Sequence, residues 1–341
     1  SRPGRVLVAA AGNDGDSQIH VGGTLGDEPV RVELRGLPLG TTTQTLVELW
    51  TPERGVVDAT VELWVGNSLA ASLPLGSNPE DLVSGTLTYG GDTLADVTYT
   101  MDAPPEHNLL RHTVLFDREK AHWLPYEGVF VLRLKGKGDV QGWISQTDYA
   151  SGFSRFGGAR GRGWWAGDGV RSVAVPATAS RVIAVGSYTV QNVWQSQTDG
   201  AQQLHDTPLG SRSAFSSLGP TGFPEFTGFK PDLCAPGSVI VSARAAGVPD
   251  SPDTVSAGLM VMQGTSMAAP HVTGVVALML EANPTLEARQ VREILRGKAR
   301  VDAFTGAVPN YAWGFGKLDA LAAVQAVEAD ARGCAAAGAE P

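Results

Sequence analysis

Between about Val21 and Gly163, segments in which apolar residues recur at every second position follow one another along the chain. Val30-Arg-Val-Glu-Leu34, Thr60-Val-Glu-Leu-Trp-Val65, Val97-Thr-Tyr-Thr-Met101 and Val129-Phe-Val-Leu-Arg-Leu134 all alternate, which sends successive side chains to opposite faces of a half-buried strand. Gly66-Asn67 and Lys135-Gly-Lys-Gly-Asp139 are turn signals between such strands, and no amphipathic helix breaks the series. The stretch predicts an antiparallel β-sandwich or jelly roll. No segment repeats at a fixed period, which disfavours a solenoid or propeller.

The flanking sequence has another texture. Val6 to Ala11, Val182 to Val185 and Val239 to Ser242 are short apolar runs without alternation, the pattern of parallel strands buried on both faces. Ser266 to Ala282 is a helix candidate apolar nearly all round, predicted to be central. Thr285 to Arg296 is amphipathic, with Leu286, Val291, Ile294 and Leu295 on one side and Thr285 as its expected N-cap. The fold class expected is α/β, a doubly wound parallel sheet carrying an inserted β-domain. At 341 residues and 43% hydrophobic content there is material for two cores. The expected division is residues 1–20 with 164–330 for the α/β domain, 21–163 for the insertion and 331–341 for a flexible tail.

A net charge of −9 argues against nucleic acid or an anionic membrane as partner. The longest apolar stretch, Val272 to Leu280, falls short of the ~18–20 residues that cross a bilayer, so no transmembrane segment is expected. Cys234 and Cys334 are too few and too differently placed to define a disulfide framework. The chain opens at Ser1 almost directly into a strand-like run, Arg5 to Ala10, and a further segment upstream is expected.

Gly264-Thr-Ser-Met-Ala-Ala-Pro-His271 lies where the apolar strand Leu259-Met-Val-Met262 meets the apolar helix. Ser266 therefore sits at a helix N-terminus, where unpaired N–H groups and the positive end of the dipole favour a developing oxyanion. Gly264 leaves room for a substrate backbone, and Pro270 is expected in the first turn, where a missing N–H does little harm. This octapeptide, with Val272 and Gly274 after it, resembles the nucleophile signature of the subtilisin-like (S8) serine peptidases. Val8-Ala-Ala-Ala-Gly-Asn-Asp-Gly15 resembles the strand and turn carrying that family's oxyanion asparagine, which would be Asn13. Ala177 to Gly186, Ala214 to Pro220 with Lys230 to Gly237, and Trp313 to Ala320 resemble later core segments in the same order.

The resemblance implies a serine endopeptidase acting on polypeptides through an acyl-enzyme on Ser266, with Asn13 in the oxyanion hole and Gly264, Thr265 and Asp14 near the substrate. It implies no required cofactor, structural calcium for which no ligand set is legible here, and a secreted or extracellular setting. It also implies a triad Asp and His in chain order before Asn13. Residues 1–12 contain neither, so both are expected from a missing upstream segment or a processed partner fragment, and the parallel sheet is expected to be incomplete.

Other histidines are poor substitutes. His271 is five positions from Ser266, about 500° of helical rotation, and is expected to be a buried helix–sheet hydrogen-bonding residue. His205-Asp206 reads as an exposed turn, and His107, His112 and His122 as surface or strand-edge residues of the insertion. Trp123, Trp164 and Trp165 read as packing residues, with a sugar- or peptide-binding surface as the alternative. Two rival readings remain open: a pseudoprotease or binding scaffold, and a glycan-binding or adhesion module carried on a peptidase remnant. Because the resemblance implies that the insertion leaves and re-enters beside the substrate cleft, gating or extension of the cleft is a further expectation.

Overall fold

The computed structural model describes residues 3–52, 57–76, 82–104, 108–146, 154–205, 207–221 and 229–337. His107, Asp206 and residues 338–341 lie outside the described residues. The chain divides into two compact units, Ser17–Gly169 and, together, Ser1–Asp16 with Val170–Pro341. The division falls a few residues outside the expected 21 and 163 because His20 and Asp168 exchange backbone hydrogen bonds of 3.2 and 2.8 Å. The His20 ring is buried, with Asp168 Oδ1 2.7 Å from Nδ1 and Gln141 Oε1 2.8 Å from Nε2. A side-chain pair 148 residues apart thus ties the two ends of this unit.

The Ser17–Gly169 unit contains two six-stranded sheets. One runs, in spatial order, Arg155–Phe156, Val30–Arg35, Gly128–Gly136, Val57–Val65 and Ser68–Gly76, with Trp164–Trp165 added in parallel beside Val30–Arg35. The other runs His20–Leu25, Gly138–Gln146, Thr45–Pro52, Leu109–Asp117, Asp92–Asp102 and Val83–Tyr89. The alternate residues Val32, Leu34, Val61, Leu63, Leu132 and Leu134 of the first sheet and Val47, Leu49, Val97, Tyr99 and Val114 of the second share one hydrophobic core. Phe116 and Phe130 meet in it at 5.9 Å between ring centroids. Each fully buried Leu or Val there is worth about 1.5–3 kcal/mol relative to exposure. The Lys135–Asp139 turn has a consequence its sequence does not show: Gly136 ends a strand in one sheet and Gly138 begins a strand in the other.

On the opposite face of the first sheet, Glu33 and Glu62 are buried carboxylates. Glu62 accepts from Arg31 Nε at 3.2 Å and Trp64 Nε1 at 2.7 Å, and pairs with Arg133 Nε at 3.1 Å. Arg35 and Arg160 serve Glu33 in the same way, which satisfies the rule that a buried charge is paired.

His112 corrects the expectation of a surface or strand-edge histidine. It is 1% exposed, with Tyr99 Oη 2.8 Å from Nδ1 and Thr51 Oγ1 3.2 Å from Nε2. Burial pushes its pKa down to about 4, against a smaller opposing pull from Asp102. His122, by contrast, is exposed beside Asp92. Because the unfolded chain protonates His112 near pH 6.5 and the folded unit only near 4, stability is full above pH 6.5 and falls as pH drops through that window. The loss approaches roughly 3 kcal/mol at full expression. Urea midpoints measured from pH 7 to 4.5 should therefore decline less steeply in His112→Gln than in the parent; parallel slopes would contradict the assignment.

In the other unit, Val8–Ala10, Ile183–Thr189 and Leu233–Ser238 form a three-stranded parallel sheet, with Val8 opposite Ile183 and Val185 opposite Leu233. The expected parallel strand at Val239 to Ser242 is not one. Ile240–Ala243 pairs antiparallel with Leu259–Met262 in a separate three-stranded sheet, and the parallel partner of Ile183–Thr189 is the preceding segment, despite its Pro236-Gly237.

Among the described residues three helices follow: α1 (Thr265–Ala282), α2 (Ala288–Gly297) and α3 (Ala320–Ala337). Ala268, Val272, Val275, Val276 and Met279 of α1 occupy the i, i+4, i+7, i+8, i+11 stripe that packs on Ile183, Val185, Leu233 and Ala235. The remainder of α1 is not central, since Ser266, His271, Thr273 and Leu278 are exposed. Pro270 belongs to the second turn rather than the first, because the helix already begins at Thr265. It therefore offers no N–H to the Ser266 carbonyl.

The N-cap of α2 is Glu287, in a capping box with Gln290, while Thr285 hydrogen-bonds the Asn283 side chain instead. Helix α3 runs on to Ala337, past residue 331. Cys234 is a free thiol, fully buried, and burial pushes its pKa up to about 12.

Candidate active site

The strand Val8–Ala10 is extended by one more backbone bond, Ala11 N–H to the Val185 carbonyl at 2.9 Å, and then turns at Gly12. Gly12 has φ +111°, and a Cβ there would lie 2.7 Å from Ser217 Oγ, so only glycine fits both the conformation and the space. Asn13 follows the turn. Asp14 is half-buried, its N–H donating to Ser217 Oγ at 3.1 Å.

From the other direction, Leu259–Met262 leads to Gly264, the N-cap of α1, at φ 151°. No side chain caps the helix at that position. Asn13 supplies an acceptor instead: its Oδ1 receives the Thr265 N–H at 2.9 Å and the Thr265 hydroxyl at 3.0 Å. Thr265 Oγ1 in turn accepts the Gly12 N–H at 3.1 Å. Thr265 is 0% exposed with its hydroxyl committed on both sides. Its N–H and hydroxyl both meet Asn13 Oδ1 and so hold the Asn13 carboxamide in one orientation.

That orientation is informative because a backbone N–H can only donate. Asn13 Oδ1 must face Thr265, so Nδ2 faces the other way. A Cβ placed on Gly264 would lie 3.3 Å from Asn13 Nδ2 and 3.6 Å from the Ser266 backbone nitrogen. Both N–H donors flank the same space, beside exposed residues Asn13 and Ser266, and among the described residues neither has an acceptor. The positive end of the α1 dipole adds to them. Gly264 itself is buried, and any side chain there would intrude on this space.

His271 does not join the site. It is exposed rather than buried, because it lies off the packed stripe of α1, and its Nδ1 is 2.9 Å from the Met267 carbonyl one turn back. No described histidine hydrogen-bonds Ser266. His205 is exposed. Among the described residues no three His, Cys, Asp or Glu side chains converge to hold a metal ion.

The model of the subtilase family (peptidase S8) matches residues 143–316, just over half of the 341. The chain belongs to the subtilase family. Serine protease AprX of Bacillus subtilis is 33% identical over 133 residues, covering 37% of this chain and 26% of AprX. Minor extracellular protease Vpr of the same organism is 36% identical over 121 residues, covering 35% of this chain and 14% of Vpr. This subtilase chain thus spans about a quarter or less of those curated relatives. Among solved structures, the CspB protease of Clostridium perfringens superposes with a TM-score of 0.67 at 22% identity, over 94% of this chain and 60% of that one. The fold is subtilisin-like, and the family is one of serine peptidases.

Sequence reasoning singled out Ser266 and Asn13 but not the Thr265 link between them, nor Ser217, which supports the turn through Asp14. The only signal was adjacency: Thr265 stands immediately before Ser266, at the first position of the helix.

Proposed function

We propose that this subtilase chain supplies the nucleophile and the oxyanion hole of a serine endopeptidase that cleaves polypeptides through an acyl-enzyme. The observation that carries this reading is the pair of acceptor-free donors, Asn13 Nδ2 and Ser266 N–H, flanking one space at the start of a helix. In the reaction, Ser266 Oγ attacks the scissile carbonyl while a general base takes its proton. The carbonyl oxygen, now negative, is held between those two donors. Collapse expels the amine, which takes up the proton, and leaves an ester on Ser266 that water hydrolyses by the same route in reverse order.

The base and its carboxylate partner would be a His and an Asp contributed from outside these 341 residues. On this reading the three parallel strands are part of a larger doubly wound sheet, and the two-sheet unit is a β-sandwich inserted in it. Gly264 keeps the approach to the donors open for a substrate backbone. The word extracellular in the name of Vpr supports a secreted setting.

A fluorophosphonate reports on nucleophile and oxyanion hole together. The full-length protein should be labelled on Ser266, and Asn13→Ala should slow labelling by about 10²–10³, the usual loss for one oxyanion donor. A folded full-length protein that stays unlabelled would favour the pseudoprotease reading.

A further inference from the structure

In the Ser17–Gly169 unit, the end of strand Val30–Arg35, the turn before Ser68 and the loop before Gly128 line an open cavity of about 760 Å³. That lies within the ~300–1,000 Å³ typical of ligand sites. Its lining includes Arg35, Arg118, Arg160, Glu33, Glu127 and Trp123. Arg118 is 5% exposed and pairs with no carboxylate among the described residues. Its guanidinium instead donates to the carbonyls of Leu94, Leu37 and His122 at 2.9, 3.1 and 3.0 Å, over the ring of Phe130 at 5.4 Å. Three of its five N–H groups are used, and two are left.

Glu33, also in the lining, makes no hydrogen bond to Arg118. Its two oxygens are taken by Arg35 Nε at 2.7 Å and Arg160 Nε at 2.8 Å. Both of those arginines in turn keep their terminal nitrogens without acceptors among the described residues. The named charged groups sum to +1, three guanidiniums against two carboxylates, in a chain whose net charge is −9. At the cavity Trp123 is 83% exposed, and nearby Tyr126 is 90% exposed.

We propose that this cavity binds a carboxylate-bearing segment of a polypeptide, with the acid on Arg118 and a neighbouring apolar or planar group against Trp123. A planar guanidinium with spare N–H groups matches a carboxylate in shape and charge. The cavity has room for more than a lone acid, and the exposed aromatics beside it suit the continuing chain. The inference does not rest on the peptidase reading, because its test measures binding and not hydrolysis.

The probe is a fluorescein-labelled hexapeptide of alternating Glu and Tyr, followed by anisotropy with the full protein in a Ser266→Ala background. Saturable binding is expected, weakening with added salt. The peptide with Gln for Glu should bind about tenfold or more weakly, and Arg118→Lys should lower affinity for the Glu peptide by a similar factor. Trp123→Ala removes only an exposed ring, so the fold should survive it, and a weakening of about threefold or more is expected. Free glutamate and polygalacturonate are the competing arms. No saturable binding, equal binding of the Glu and Gln peptides, or affinity unchanged in both variants would overturn the proposal. So would tighter binding of free glutamate or of the uronate polymer than of the peptide.

Discussion

Ser266→Ala in the full-length protein should lower kcat toward an unfolded polypeptide substrate by about 10⁶, the loss that removal of the nucleophile causes in subtilisin. The melting transition should hardly move. The two effects separate because Ser266 is exposed, and its hydroxyl makes no hydrogen bond among the described residues, so truncation removes no packed contact. The alanine keeps its backbone N–H, and the Asn13 carboxamide is still held by Thr265. Residual activity above water is therefore expected from the donor pair alone. A variant retaining more than about a tenth of the parent kcat would remove Ser266 from the chemistry.

The largest effect on stability is expected at Asp232, which is 0% exposed. Its Oδ1 accepts from Arg292 Nε at 2.6 Å and Arg296 Nε at 2.8 Å. Its Oδ2 accepts from Lys230 Nζ at 2.9 Å and the Ala184 N–H at 2.7 Å. Lys230 is equally buried and also donates to the Val182 carbonyl. Asp232→Ala would strand that ammonium and leave the Ala184 N–H without its side-chain acceptor, costing about 3–5 kcal/mol. Adding Lys230→Met should restore part of the loss, since removing both partners of a buried pair costs less than removing one. Equilibrium denaturation of the parent, the single and the double variant tests this, and a double variant less stable than the single would refute it.

The same cluster sets an acid limit. Burial raises the Asp232 pKa, but Lys230, Arg296, Arg292 and the Ala184 N–H outweigh it and hold the carboxyl below its ordinary value. Lys230 goes down as well, because burial acts on it in full while it has only a share of one carboxylate and two arginines nearby. For Asp232 the sign follows directly. Its contribution is present above the unfolded carboxylate pKa of about 4 and is lost as pH falls through the lower folded value.

Much of the fold was legible because it depends on local periodicity. Alternation located the long strands of the Ser17–Gly169 unit and the 3.6-residue stripe located α2, since a half-buried element must repeat its apolar side chains at its own period, whereas α1 was marked by its continuous apolar run. Ser266 and Asn13 were legible because glycines and small residues around each mark a strand-to-turn and a loop-to-helix junction. What period and composition left open was everything that depends on a distant partner. Leu233–Ser238 is a parallel strand because Ile183–Thr189 lies beside it, not because Pro-Gly favours extension. Glu287 rather than Thr285 caps α2 because Gln290 answers it. His112 is buried because Tyr99 and Thr51 hydrogen-bond its two ring nitrogens, and His20 because Asp168 and Gln141 do the same for its ring. The Asn13 carboxamide faces one way because Thr265, 252 residues later, donates to it. Periodicity is a property of neighbours in the chain, whereas burial of a polar group depends on which hydrogen-bond partner the fold brings to it, and that only the tertiary structure decided.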